Sequence, residues 1–479
     1  MPRITSTIIA VLLAIAAVAA MLYTAKHDTG RGVVSGPQRL LQPSDLPIDE
    51  IDRITITRGG AAAAASLVYQ RTGPNWNQVE PFAHPMDPYS IRQMAVAARE
   101  LTVVDRIPPT ALGSDQSLST LQLSPAAGEI TYQWPGGSLT LELGRRSVAG
   151  RAYLRRKGED AVCIVNQKLH ERVLDMNPAE WRDRTIFLHA GADSSRIGWQ
   201  QGDVKMSLER DGRRWKMTDP LETRVDQNNL DAYLQALGRA TVTDYILDIK
   251  DPAELANFGL AKPVGVLTIT TTPQVPGAGS APSPTTQAAP ITERLLVGSP
   301  ITTASKDRFG MIEGRPVVVR LSEPVIGALF RQAEDLAAAT GAGVKPADVK
   351  SIVIRQTSIA GVAAVAAPAS QPSELSLERD LDRWRSPSHG NLEVNAAMVQ
   401  ELLDQLCTLQ APNVQFKTFP RELEVATVTL YGFDGKALDT VRIAQEKTSP
   451  STALENGDNV LRVFPQGLKL RLTAGDFGL

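Results

Sequence analysis

Three tryptophans close strand-like runs of one kind: SLVYQRTGPNW ending at Trp76, KMSLERDGRRW at Trp215 and ELSLERDLDRW at Trp384. Eleven residues after each stands a helix-start residue, Asp87, Asp226 and Asn395. Side-chain oxygens of these types accept hydrogen bonds from the unpaired amides of a first helical turn. Pro88 reinforces the first start, because its φ is pre-set for that position. Apolar residues then recur 15, 18, 19 and 22 residues after each tryptophan: Ile91, Met94, Ala95 and Ala98; Leu230, Tyr233, Leu234 and Leu237; Val399, Leu402, Leu403 and Leu406. This spacing puts each set on one helix face. Asp105, Asp244 and Asn413 repeat 29 residues on. A register held over so long a period restricts the chain to tandem copies of one unit.

The flanking segments keep the same order. Each copy opens on a strand-like run, IDRITITR from Ile51, SSRIGWQQ from Ser194 and VKSIVIRQ from Val349, and carries paired strands beyond its helix. The predicted fold class is α+β: an N-terminal transmembrane helix, then three repeats, each a mainly antiparallel sheet with one or two packed helices. The expected divisions are an anchor over 1–25, a flexible stalk over 26–46, and modules over 47–192, 193–345 and 346–479. About 150 residues per domain suits a chain of this length. Two insertions, 273–290 and 359–373, are rich in Pro, Ala, Ser or Gly, carry no charge, and read as loops. Copies one and two show a closing helical segment, QKLHERVLDM and SEPVIGALFRQAEDLAAA; the third ends on LKLRLTAGDFGL without one.

The run from Ile4 to Thr24 is free of charge. As a helix it would span roughly 30 Å, the thickness of a bilayer core. It is expected to anchor the chain by a single pass in the cytoplasmic membrane, with the bulk outside the cytoplasm. A cleaved signal peptide ending near Val18-Ala19-Ala20 is the alternative. Cys163 and Cys407, the two cysteines, are expected to be free thiols. A net charge of −2 supplies no general attraction for nucleic acid, and none is expected as a partner.

No motif for chemistry stands out. Gly341-Ala342-Gly343 lacks the third glycine of a dinucleotide fingerprint. The histidines, His27, His84, His170, His189 and His389, are scattered without a second ligand at metal spacing and read as surface residues. Asp87 with Asp105, and Asp226 with Asp244, could be imagined as acid/base pairs. Repetition of one residue type in each copy, with Asn395 tolerated in the third, fits caps and turns better. Trp76, Trp215 and Trp384 read as core residues at a strand end, with a ligand-stacking platform as the alternative. The basic stretch Arg145, Arg146, Arg151, Arg155, Arg156 and Lys157 is expected to split between the two faces of a strand. No catalytic, cofactor-binding or metal-ligating residue is assigned.

A strand, a tryptophan with proline five residues on (Trp76 to Pro81, Trp215 to Pro220), an Asp-capped helix, a Gly-Leu-x-x-Pro turn, paired strands and an Arg182-Asp183-Arg184 join together resemble the bacterial repeat family of domain of unknown function 4340. That resemblance implies an exported, membrane-anchored protein accompanying ABC-type transport systems related to gliding motility. The expected function is a non-catalytic envelope protein, an accessory or scaffold. Its partners would be membrane lipid through the N-terminal helix and an envelope membrane protein. The alternative is a binding module for a glycan or cell-wall ligand.

Overall fold

The computed structural model describes residues 38–59, 65–112, 117–272, 289–357, 374–446 and 450–479. Its backbone forms three antiparallel sheets of ten, nine and nine strands. In the second, the strands in chain order are Ser194–Gln201, Val204–Asp211, Arg214–Asp219, Thr223–Arg224, Asp244–Asp248, Gly265–Thr271, Ile291–Pro300, Arg308–Ile312 and Val317–Leu321. Numbered one to nine, they lie in the order 4-3-2-1-6-7-8-9-5. The first and third sheets follow the same order, the first with one extra strand, Gln38–Arg39, beyond its fifth. Strand four is thus an edge of every sheet, and strand five the opposite edge except in the first, where Gln38–Arg39 lies beyond it. The helix between them must cross from one side of the sheet to the other.

Those helices are α1 (Pro88–Arg99), α2 (Gln227–Arg239) and α3 (Ala396–Cys407). Each turns its repeated apolar face onto its sheet. Leu230, Tyr233, Leu234 and Leu237 are buried in α2, as are Val399, Leu402, Leu403 and Leu406 in α3. Strands supply the facing layer by alternation: Ile54 and Ile56 in copy one and Ile352 and Ile354 in copy three are buried. The core of each copy lies between helix and sheet.

The chain forms two compact units, 1–183 and 184–479, the second holding copies two and three. Inside it the segment after copy two works on both sides. Asp226 N–H donates to Leu336 O and Ala338 N–H to Arg224 O, so Leu336–Ala338 covers the fourth strand of copy two. Thr340 then bridges to Gln410, and Ala342 N–H donates to Leu406 O in copy three.

Several expectations are corrected. The described chain is mainly antiparallel β, with helix the minor part, where an α+β chain was predicted. Short strands such as His84–Met86 and Leu392–Val394 are too brief to show a period of two. Among the described residues no helix is long and apolar enough to cross a membrane. The expected transmembrane helix, Ile4–Thr24, lies outside the described residues, and single-pass placement in the inner membrane is withdrawn. Residues 26–37 of the expected stalk also lie outside them. From Gln38 onward that segment belongs to the fold, with Leu41 and Leu46 buried in the first core. Almost all of 273–290 and 359–373 lies outside the described residues as well.

The closing helices are broken pieces: Lys168–His170, running into a wide turn over Glu171–Asp175, and Glu323–Leu329 with Ala333–Leu336. Copy three has a counterpart after all, a single turn, Ala474–Phe477, with a capping box between Thr473 and Asp476. It delivers Phe477 to the third core, as Pro178–Trp181 delivers Trp181 to the first.

Candidate functional site

The residues singled out by repetition are structural in their contacts. Asp87 accepts hydrogen bonds from the amides of Tyr89 and Ser90 at 3.3 and 3.0 Å, Asp226 from Asn229 at 3.0 Å, and Asn395 from Ala397 at 2.9 Å. Trp76, Trp215 and Trp384 are all buried, and the Arg379 guanidinium lies over the Trp384 ring at 5.5 Å. The imagined acid/base partners are engaged elsewhere. Asp105 accepts from its neighbour's amide, and Asp244 pairs with Arg320 at 3.6 Å.

A repeated arginine, which carries no known motif, shares the register of the tryptophans. Arg71, Arg210 and Arg379 each stand five residues before the tryptophan. Each donates to a backbone carbonyl ahead of the first strand: Asp49 O, Ala192 O and Ala347 O. A second recurrence is visible only in register. On the neighbouring seventh and eighth strands, Glu142 pairs with Arg155 at 2.6 Å in copy one and Arg442 with Glu455 in copy three, with the signs exchanged.

Two histidines depart from the surface expectation. His84 and His170 are buried. Burial pushes His170 down to about 4, although its Nε2 bonds to Tyr153 O at 2.9 Å. His189 lies 3.4 Å from Glu293, and His389 contacts Ser386 and Ser388. Among the described residues no group of three or more His, Cys, Asp or Glu is placed to hold a metal ion. Four residues of the basic stretch of copy one form ion pairs, Arg146 with Asp175, Arg155 with Glu142, Arg156 with Glu159 and Lys157 with Glu129, and the Arg145 guanidinium lies 5.6 Å from the Tyr153 ring centre.

The most developed polar cluster lies where copy two meets copy three. There, Arg224 of the fourth strand donates to Thr340 O at 2.9 Å and Gly341 O at 3.2 Å. Gly343 is needed beside it, because a Cβ there would sit 2.7 Å from Arg224 Cδ. The fully buried Arg462 donates to Ala338 O at 2.9 Å and forms a two-pronged ion pair with Asp458, whose Oδ2 also accepts from Thr223 Oγ1 at 2.5 Å. Burial alone would raise the Asp458 carboxyl. The bonds and charge of Arg462, with Thr223 and the Val460 amide, outweigh it and leave the group lowered. Gly343 N–H donates to Asp439 at 2.7 Å.

A groove of about 630 Å³ opens beside this cluster, lined by Arg214, Trp215, Arg224, Lys345 and Cys407 among others. A second hollow of about 490 Å³ shares Arg214, Trp215 and Arg224 and adds Asp211, Lys216 and Glu222. The charges are mixed in sign, with Arg224 and Asp458 held by the bonds above and Lys216 3.9 Å from Glu222. Burial pushes the Cys407 thiol up to about 12, which leaves it protonated and a poor nucleophile. The arrangement can hold two modules in register and offer a polar groove.

The sequence profile of a domain of unknown function, DUF4340, matches twice, over 76–255 and 215–414, and its matches begin at Trp76 and Trp215. The chain belongs to the DUF4340 family. Each DUF4340 match runs past the end of one copy and into the next, so the profile includes the segment between sheets. No curated protein and no solved structure matches the chain.

Proposed function

We propose that this DUF4340 protein is a non-catalytic scaffold, an accessory that holds partner proteins in a fixed arrangement. The observation that carries this reading is the use of its repeated and buried polar residues. The caps close helices, the Arg71, Arg210 and Arg379 side chains tie strand ends, and Arg224, Arg462 and Asp458 fasten copy two to copy three. A groove between two such copies presents a surface with one geometry, which suits docking. An ABC-type export system is the assembly that the family resemblance implies.

Photo-crosslinking from Lys345 and Arg214 in intact cells tests it. Recovery of a permease or ATPase subunit is the expected result; recovery of glycan fragments alone would overturn it in favour of a carbohydrate-binding module. Trp215 lines the groove but is only 8 % exposed, which leaves little ring face for a sugar to stack on. Turnover abolished by one polar substitution that leaves the fold intact would refute the non-catalytic reading.

A further inference from the structure

Copy two alone carries an arginine nine residues after its tryptophan: Arg224 stands where copies one and three have Pro85 and Glu393. The repeated frame therefore does not require a cation at this place. Arg224 binds the strap that joins copy two to copy three, Leu336–Ala342, through three neutral acceptors, Thr340 O, Gly341 O and, at 3.3 Å, Thr340 Oγ1. A neutral amide side chain could serve those acceptors as well. The positive charge has no counterpart. Among the described residues Arg224 forms no ion pair, and its buried Nε has no hydrogen-bond acceptor. The acids nearby are engaged, Asp458 with Arg462 and Asp439 with the Gly343 amide. Burial, and next the charge of Arg462, push the guanidinium below the ordinary arginine range. A cation withdrawn from water in this way is ordinarily paired.

The groove of about 630 Å³ that Arg224 lines is of the size that ligands occupy. Arg214 and Lys345 stand exposed on the same lining and also form no ion pair among the described residues. Asp226 and Asp348 lie on it too, Asp226 accepting from the Asn229 amide and from Gln410 Nε2 at 3.4 Å. Those two carboxylates repel a run of negative charge, which disfavours a polyanion such as nucleic acid and favours one isolated acid. Val344 and the exposed Leu438 give the groove an apolar side that a bare inorganic ion has no means to use.

We propose that this groove receives an extended acidic segment of the partner protein, with a Glu or Asp carboxylate meeting Arg224 in a charge-assisted pair and Arg214 and Lys345 adding attraction. The inference rests on the scaffold reading and names what the scaffold holds.

Fluorescence polarisation on the purified full chain tests it, with labelled heptapeptide pools randomised except for a central Glu or a central Gln. The Glu pool is expected to bind about tenfold or more tighter, because only its carboxylate answers the guanidinium. The preference should shrink as salt rises. Arg224→Gln, which keeps donors for the strap carbonyls, should abolish the preference. Arg214→Glu and Lys345→Glu, at exposed positions, should weaken binding of the Glu pool severalfold, and thermal unfolding shows that each variant keeps its fold. Equal binding of the two pools, or a Glu preference that survives all three substitutions, would overturn the proposal. So would displacement by succinate as effective as by unlabelled peptide, which would assign the groove to a small free acid. Capture of a membrane protein in cells without any Glu preference would sink this inference and leave the scaffold reading standing. A Glu preference with only glycan captured would do the reverse.

Discussion

The ninth strands of copies one and three face the same neighbour in the same register, yet they bury opposite things. In copy one Cys163 lies opposite Arg106 of the fifth strand; in copy three Arg462 lies opposite Val414 at the equivalent place. Around Cys163 the first unit buries neutral polar groups: Tyr132, whose hydroxyl donates to Met94 O, and the imidazole of His170. The second unit buries Arg462 against the half-buried Asp458, while its Glu455–Arg442 pair has a counterpart of exchanged signs in Glu142–Arg155 of the first unit. One backbone frame accepts either solution. The difference lies in what sits beyond the strand, since Arg462 reaches the strap of the preceding copy at Ala338 O.

Breaking the charged solution should give the largest effect. Arg462→Met leaves the half-buried Asp458 without its ion-pair partner and Ala338 O without its donor, and is expected to lose about 3 kcal/mol, read from denaturant unfolding of the second unit's transition. Cys163→Val, at the equivalent place in the first unit, should change stability by less than about 1.5 kcal/mol. Equal losses would erase the distinction. Acid should separate the units as well. The folded His170 titrates below an unfolded histidine, so the unfolded chain binds more protons between the two values. Its contribution is complete above about pH 6.5 and is lost as pH falls toward about 4, on the order of 3 kcal/mol in all. His170→Phe should flatten that part of the first unit's stability profile; an unchanged slope would show that the ring is not buried neutral. The lowered Asp458 carboxyl acts in a more acid window. Its contribution is present above the unfolded value near 3.9 and lost below it.

Exchanging the signs of a buried pair sharpens the comparison further. Glu455→Gln should cost about 1–3 kcal/mol, because Arg442 and the Asn459 amide lose a charged acceptor. Arg442→Glu with Glu455→Arg should recover part of that loss if copy three can adopt the polarity of Glu142 and Arg155. Last come the caps. Asp87→Ala, Asp226→Ala and Asn395→Ala should each cost about 1 kcal/mol, alike in the three copies, as seen by thermal unfolding. A cap whose removal costs nothing would mark a helix held by packing alone.

Much of the repeated frame was legible in the residues. The apolar spacing after each tryptophan marks the buried faces of α1, α2 and α3, and Asp87, Asp226 and Asn395 stand at their starts because local hydrogen bonding needs only neighbouring residues. The candidate site was not legible. Arg224, Asp458 and Arg462 lie up to 238 residues apart in the chain. No period links them, since each belongs to one copy only. The expected surface histidines failed for the same reason: burial of His84 and His170 depends on which segments fold over them.

By itself the sequence determined that one unit recurs three times in register, because periodic burial and capping are local demands written at fixed spacings. The tertiary structure alone decided the nine-strand order, the placement of the fourth and fifth strands on opposite sides of the sheet, and the strap that covers one edge while opening the next copy. Those depend on pairings between distant backbone groups, which carry no side-chain signature.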